Sequence, residues 1–169
     1  RRGKEEDWIE LQGYAYGAAM RDAVPFPGVR DFFARCHSSG VTAYIISHRT
    51  RFPFKGPDCD LHQAAHEWLE AHGFFSSTEI GLSPGWVYFE STKRDKLARI
   101  VERGCTHFID DLPEFLSDEA FPENVQRFLF DPYDNFADEP RFIRVASWAM
   151  IGELLSIGSR APHDGLRRF

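Results

Sequence analysis

The sequence predicts an α/β fold in which helices cover both faces of a mainly parallel sheet, a three-layer α/β/α arrangement. Apolar, β-rich runs alternate with amphipathic helical patterns, and this alternation is typical of parallel sheets with helical crossovers. The run at 41–46 is apolar at nearly every position, as expected of a strand buried on both faces. With 169 residues, 43% of them hydrophobic, the chain can fill one core. We therefore expect one domain over 1–157, followed by a linker or tail at 158–169.

The first part of the chain predicts two helices and a strand. Apolar residues recur at helical spacing over 5–23, and the Pro-Phe-Pro-Gly run at 25–28 ends this first helix. A second amphipathic helix begins at Val29 and is ended by a Ser-Ser-Gly run. The apolar strand at 41–46 comes next, and it continues directly into the polar run Ser-His-Arg-Thr at 47–50.

The rest of the chain continues the alternation of helices and strands. Right-handed crossovers bring the carboxyl ends of parallel strands to one edge of a sheet, where open α/β proteins place their ligands. We therefore expect chemistry where the strands at 41–46 and 106–109 end. The remaining predicted elements are helices at 61–72, 93–102 and 148–155 and strands at 86–90, 106–109, 126–131 and 142–145.

Carboxylates mark the end of the strand at 106–109. Asp110 and Asp111 follow it directly, and Glu114 comes one helical turn later. Hard cations such as Mg²⁺ prefer oxygen ligands, and adjacent carboxylates repel each other unless a cation or base is near. The sequence thus predicts a Mg²⁺ site formed by Asp110, Asp111 and Glu114. The alternative is that the aspartates only cap a helix that starts near Leu112, for which one aspartate would suffice.

Composition narrows the class of partner. A net charge of −6 and a pI near 5.6 disfavour nucleic acid as the main partner, whereas a small anionic substrate handled with a cation fits better. No apolar run is long enough for a transmembrane helix, so we expect no membrane partner. The three cysteines, Cys36, Cys59 and Cys105, lack CxxC spacing, which favours reduced thiols and a cytoplasmic location.

A set of polar residues follows the strands in a characteristic order. It consists of Ser47 after one strand, Lys93 and Lys96 near a helix start, and Asp110 and Asp111 after a later strand. Over about residues 25–131 this order resembles the haloacid dehalogenase (HAD) superfamily of phosphohydrolases, which have a Rossmann-like fold. The resemblance implies that Ser47 binds the transferring phosphoryl group and that Lys96, or as second choice Lys93, neutralises it. It further implies that the aspartates hold Mg²⁺ and that the substrate is a small phosphorylated molecule.

Two residues beside the phosphate-binding serine are further candidates. His48 and Arg49 directly follow Ser47, so we predict that they contact the phosphate or the leaving group of the substrate. The alternative is that they only form the polar start of a loop.

One part of the HAD pattern is absent from the sequence. A strand ending in Asp-x-Asp should precede the second helix and supply the nucleophile, yet Asp7 and Asp22 belong to a predicted helix. Either the complete protein carries this strand upstream and reacts through an aspartyl-phosphate, in which case this chain alone is inactive, or the chain is a non-catalytic HAD-like phosphate-binding or interaction module. An N-terminus of Arg-Arg-Gly-Lys without Met favours the first interpretation, in which a fused neighbouring domain is a further partner.

Two weaker patterns compete with this interpretation. His62 and His66 lie four residues apart on a predicted helix with Cys59 nearby, a spacing that can bind zinc. For the interaction module, exposed aromatic side chains would act as interface anchors. The candidates for that role are Trp8, Tyr14, Tyr16, Trp86 and Trp148.

Overall fold

Six α-helices and five strands follow one another in residues 2–157, the part of the chain that the computed structural model describes. The mixed α/β class that the sequence predicts is confirmed. The helices are α1 (Arg2–Tyr16), α2 (Val29–Ser38), α3 (Leu61–Ala71), α4 (Lys93–Glu102), α5 (Pro113–Leu116) and α6 (Trp148–Leu154). The strands are β1 (Ile45–His48), β2 (Val87–Glu90), β3 (His107–Asp110), β4 (Gln126–Phe130) and β5 (Ile143–Val145).

Two elements differ from the sequence prediction by more than two residues at one or both ends. The first helix was predicted over 5–23, but α1 ends at Tyr16, and a separate 3₁₀ turn follows at Met20–Asp22. The strand predicted at 41–46 is shifted toward its carboxyl end, because the ladder with β2 begins only where Ile45 faces Val87. Apolar patterning identified the segment, whereas the available partner strand set where the pairing starts.

The strands form two parallel sheets rather than the single sheet predicted. One sheet pairs β1 with β2, and the other has the order β3-β4-β5; all three pairings are parallel. Within residues 2–157, no ladder of hydrogen bonds joins β1 to β3, and this is why the two sheets are separate. Residues of both strands instead line a cavity of about 810 Å³, which we call the apolar cavity.

Hydrophobic clusters cover both faces of the strands. Phe128 and Leu129 of β4 are almost fully buried, and these consecutive residues belong to different clusters because successive strand side chains point to opposite faces. The cluster of Phe128 includes residues of α2, α3 and α6. The cluster of Leu129 includes residues of α4 and α5. Helices therefore pack against both faces of the strands.

The cysteines are free thiols in the structure, as the sequence predicts. Cys36 is buried in the core on α2, and burial raises the pKa of its thiol to about 11. Burial also raises the pKa of Cys105, which is only half-buried. Both thiols therefore favour the protonated, unreactive form at neutral pH.

Asp131, at the end of β4, is a buried carboxylate that orders the loop after it. Burial by itself raises its pKa, but the carboxylate accepts hydrogen bonds from the backbone N–H groups of Asn135 (2.9 Å) and Phe136 (3.0 Å) and from Arg144. These bonds outweigh the burial, so the pKa of Asp131 lies below its ordinary value of 3.8.

This lowered pKa predicts how Asp131 contributes to acid stability. A carboxyl group whose pKa is lower when folded stabilises the protein fully above its unfolded pKa, and the contribution is lost as the pH falls through the folded pKa. We expect Asp131→Asn to lower stability at pH 7, and the difference from the wild type to shrink below about pH 4. Urea unfolding at several pH values measures this. Asp58→Asn, at an exposed position, is the control, and a pH-independent effect of Asp131→Asn would contradict the prediction.

The sequence analysis also predicts a C-terminal tail and the absence of a transmembrane helix. The tail predicted at 158–169 lies outside the described residues. Among residues 2–157, no helix has both the length and the apolar character needed to cross a lipid bilayer.

Candidate functional site

The carboxyl ends of β1 and β3 meet at a second cavity of about 820 Å³, which we call the polar cavity. This is the meeting of strand ends that the sequence predicts, although the strands belong to different sheets. The predicted site residues that line this cavity are Ser47, His48, Arg49, Lys96, Asp110 and Asp111. Lys93 and Glu114 are exposed and do not belong to its lining.

Lys96 and Asp110 form a buried ion pair in the polar cavity. Lys96 Nζ lies 2.5 Å from Asp110 Oδ2, and the two side chains are only 7% and 8% exposed. The ammonium group also lies 4.0 Å from the centre of the Phe115 ring, a cation–π contact. Burying a charge is costly unless it is paired, so each of the two groups depends on the other.

The start of α4 explains why Lys96, rather than Lys93, enters the cavity. Thr92 is the N-cap residue, and its hydroxyl accepts a hydrogen bond from the N–H of Asp95 at 3.1 Å. This cap makes Lys93 the first residue of the helix, so Lys93 lies in the exposed first turn. Lys96 comes nearly one turn later, on the buried side with Leu97 and Ile100.

Asp110 bonds to the backbone ahead of α5 but does not cap that helix. Asp110 Oδ1 accepts a hydrogen bond from the N–H of Leu112 at 3.0 Å, ahead of the short helix α5. Leu112 itself is the N-cap residue, and no side-chain hydrogen bond caps α5. Capping therefore gives no role to Asp111, which lines the cavity beside Asp110.

Asp111 lies in an electronegative environment. Desolvation by the surrounding protein raises the pKa of its carboxyl group, and the negative charge of Asp110 raises it further. Glu114 adds a smaller rise, whereas Lys96 opposes it. A bound cation would favour the ionised form of Asp111 and so oppose this rise.

Arg49 brings a second cation to the polar cavity. Its guanidinium group lies 4.9 Å from the centre of the Tyr16 ring and donates a hydrogen bond of 3.3 Å to the carbonyl oxygen of Leu61. Partial burial lowers the pKa of Arg49, although a guanidinium remains charged at neutral pH. Among residues 6–157, no carboxylate forms a salt bridge with Arg49. This half-buried cation is therefore available to an anion.

Ser47 and His48 complete the basic and polar side of the cavity. Ser47 lies in β1 opposite Phe89, so its position is fixed by the β1–β2 ladder. His48 is exposed, and its Nε2 lies 3.1 Å from the carbonyl oxygen of Ser91. A hydroxyl and an imidazole can both donate hydrogen bonds to an oxyanion.

Zinc binding by His62 and His66 gains no support from the geometry. Both imidazole rings pack against Phe89, with ring centroids 4.7 and 5.4 Å from that of the phenyl ring. His62 Nε2 also lies 2.9 Å from the carbonyl oxygen of Arg49. Within residues 2–157, no three His, Cys, Asp or Glu side chains gather closely enough to hold a metal ion. His62 thus supports the loop that carries Arg49.

The donors at the strand ends nevertheless suit Mg²⁺. This ion commonly binds one or two protein carboxylates and completes its shell with water and phosphate oxygens, so it does not need three protein ligands. Asp110 and Asp111 supply two carboxylates to the lining of the polar cavity, and the pKa of Asp111 is raised first by desolvation and then by the negative charge of Asp110. The residues present therefore fit the ion.

The sequence analysis did not assign α1 to this site. Ile9, Gln12 and Tyr16 of α1 line the polar cavity. The helix approaches closely because Gly13 and Gly17 have no side chain: a Cβ at Gly13 would overlap the carbonyl oxygen of Lys55, and one at Gly17 would overlap the sulfur of Cys59. The available signal was two glycines four residues apart, Gly13 in α1 and Gly17 directly after its end, since neither carries a side chain that would hold the packed segment away.

Comparisons with known proteins add no family assignment. No protein-family model matches the chain, and neither a curated protein nor a solved structure matches it.

Proposed function

We propose that this chain forms most of a HAD-like phosphohydrolase domain that hydrolyses small phosphomonoesters with Mg²⁺. The nucleophile is an aspartate outside these 169 residues, and the reaction passes through an aspartyl-phosphate. The observation that carries the proposal is the polar cavity at the carboxyl ends of β1 and β3. Arg49, which forms no salt bridge within residues 6–157, and the carboxylates Asp110 and Asp111 line this one space. Phosphoryl transfer depends mainly on such positioning and charge.

The basic side of the cavity supports binding of the phosphoryl group. Arg49 supplies a cation with donors that match phosphate geometry, and Ser47 supplies a hydroxyl donor beside it. His48 lies at the exposed rim, where it can contact the leaving group. These groups hold and orient the phosphoryl oxygens while the phosphorus is attacked.

The acidic side of the cavity supports the metal assignment. Asp110 and Asp111 would hold Mg²⁺, which when bound neutralises negative charge on the phosphate and on the attacking carboxylate. Lys96 positions Asp110 through the buried ion pair and adds positive charge to the same wall. Glu114 lies near enough to raise the pKa of Asp111, and we keep it as a ligand that acts through water.

The finer fold is part of the proposal. Helices on both faces of the strands are compatible with a three-layer, Rossmann-like arrangement, in which the two sheets are parts of one. Ligands of such folds bind outside the carboxyl ends of the strands. The polar cavity lies at that place on β1 and β3.

Binding of inorganic phosphate tests this assignment on the chain itself. We expect calorimetric titration at pH 7 to detect phosphate binding that Mg²⁺ strengthens, and Arg49→Met to weaken it about 10-fold or more, because a hydrogen bond to a charged group contributes about 1.5–3 kcal/mol. Arg51→Met is the matched control, since Arg51 lies outside the cavity lining and pairs with Asp60. Equal losses in the two variants, or no binding by the wild type, would contradict the proposal.

A specific observation favours the alternative, a non-catalytic interaction module. Trp8, Leu11 and Tyr14 on α1 are each more than half exposed, and exposed aromatic residues on one helix often mark a binding surface. Trp148, by contrast, packs against Phe130 and belongs to the interior. Phosphate binding without hydrolysis in the complete protein would favour this alternative.

A further inference from the structure

The apolar cavity has the lining and position that one further strand between β1 and β3 would need. We infer that it receives a single extended, apolar β-strand of the same protein, supplied by residues outside this 169-residue chain. The inference deepens the finer fold of the proposed function, in which the two sheets are parts of one, and rests on that arrangement rather than on what the polar cavity binds.

Each of the two strands that border the apolar cavity has one edge without a partner strand within residues 2–157. Within residues 2–157, β1 pairs only with β2, and β3 pairs only with β4. Backbone N–H and C=O groups on the other edges can accept a partner strand, and unpaired edges are ready templates for pairing. The cavity lies against both edges, because the segments 41–46 and 104–109 line it.

The two bordering strands run in the same direction. Their amino-terminal parts line the apolar cavity, whereas Ser47 after Ile46 and Asp110 after Ile109 line the polar cavity. Ile46, Ile109, Phe130 and Trp148 line both cavities, so the two spaces adjoin. A strand parallel to both neighbours would therefore end beside Ser47 and Asp110.

The lining of the cavity specifies an apolar strand. Its walls are mostly aliphatic and aromatic, with contributions from Phe33, Ile45 and Trp148. A parallel strand that is buried on both faces has apolar residues at consecutive positions. Ile45 and Ile46 of β1 and His107 to Ile109 of β3 border the space, together with the segments 41–44 and 104–106 that lead into them. Six residues of extended chain span about 16–20 Å at about 3.3 Å per residue.

The resulting strand order agrees with a known topology. The agreement requires that the inserted strand come before β1 in the chain, which gives the chain order 1 (inserted), 2 (β1), 3 (β2), 4 (β3), 5 (β4) and 6 (β5). The spatial order across the sheet is then 3-2-1-4-5-6, because β2-β1 and β3-β4-β5 keep their present neighbours. This is the doubly wound order, and its ligand site lies where the order reverses, next to strand 1.

The position of the strand argues that it comes from the same protein. Peptides from other proteins usually add to the outer edge of a sheet, whereas this strand would be central and buried on both faces. A second copy could supply a strand only by removing one of its own from a sheet, because each of the five strands in residues 2–157 is already paired.

Binding of a synthetic strand tests the inference directly. The probe is the fluorescein-labelled peptide Lys-Val-Ile-Val-Ile-Val-Lys with blocked ends, titrated into the 169-residue chain and followed by fluorescence anisotropy. We expect 1:1 binding and an increase of at least 10-fold in hydrogen-exchange protection of backbone amides in 45–47 and 107–109. The same peptide with proline in place of the central valine should bind at least 10-fold more weakly, because proline cannot donate to the ladder.

A pair of protein variants locates the binding. Ala43 lines the apolar cavity, so Ala43→Asp should weaken peptide binding at least 10-fold, whereas Ala98→Asp on the exposed side of α4 should not. Equal binding of both peptides, binding without protection of β1 and β3, or protection through dimerisation of the chain alone would each overturn the inference. Phosphate binding that depends on Arg49 is measured without the peptide, so failure of the strand inference and failure of the proposed function are distinguishable.

Discussion

Lys96→Met is expected to lower the free energy of unfolding by about 3–5 kcal/mol, because it leaves the carboxylate of Asp110 buried without its partner. The pair is almost wholly shielded from solvent, with side chains 7% and 8% exposed, so screening by water offsets little of this cost. Methionine keeps most of the length of the side chain and its contact with Phe115, which restricts the effect largely to the lost charge. Urea unfolding at pH 7 measures the change.

Two further variants show whether the ion pair is the cause. Lys93→Met changes the same residue type in the exposed first turn of α4 and should shift stability by less than about 0.5 kcal/mol. Lys96→Met combined with Asp110→Leu should recover part of the loss, because it removes the unpaired carboxylate as well. If Lys96→Met were as stable as Lys93→Met, the buried pair would have no structural importance.

Under the proposed function, Asp111→Asn is expected to reduce Mg²⁺-dependent phosphatase activity by about 10²–10³-fold in a polypeptide that includes the nucleophile, because it removes one carboxylate charge of the proposed Mg²⁺ site. The change leaves the ion pair of Lys96 and Asp110 in place, so the fold should persist. Replacing Asp110 and Asp111 together with asparagine should abolish the activity. Hydrolysis of p-nitrophenyl phosphate, with and without MgCl₂, measures both effects.

A second measurement separates metal binding from catalysis. Mg²⁺ should raise the melting temperature of the wild type, since a ligand that binds only the folded state stabilises it, and should not raise that of Asp111→Asn. Glu119→Gln is the control, because Glu119 is exposed and lies outside the cavity lining. Full Mg²⁺-dependent activity in the double asparagine variant would refute the metal assignment.

The sequence identified the strand ends because their signals are local. A buried strand needs consecutive apolar residues, so polar groups directly after it, such as Ser47 and Asp110, are placed at a strand end whatever the rest of the fold does. The choice between Lys93 and Lys96 could have been made in advance from Thr92, since an N-cap threonine three residues before Asp95 fixes which turn each lysine occupies.

Long-range features were not predictable in the same way. The division into two sheets depends on which strand edges find a partner, and no pattern within 41–46 or 106–109 encodes that choice. The approach of α1 to the polar cavity depends on contacts of Gly13 and Gly17 with a loop about 40 residues away in sequence. Here the absence of a side chain, rather than its presence, is what positions the helix.

The thiol of Cys36 can serve as a chemical probe of the protein interior. Cys36 lines the apolar cavity, and its pKa of about 11 leaves only about one thiol in ten thousand ionised at pH 7. Alkylating reagents react with the thiolate, so labelling of this cysteine must wait for the core to open. The rate at which Cys36 is alkylated therefore reports how often the interior beside β1 admits a small electrophile, and anything that fills the cavity would slow that reaction.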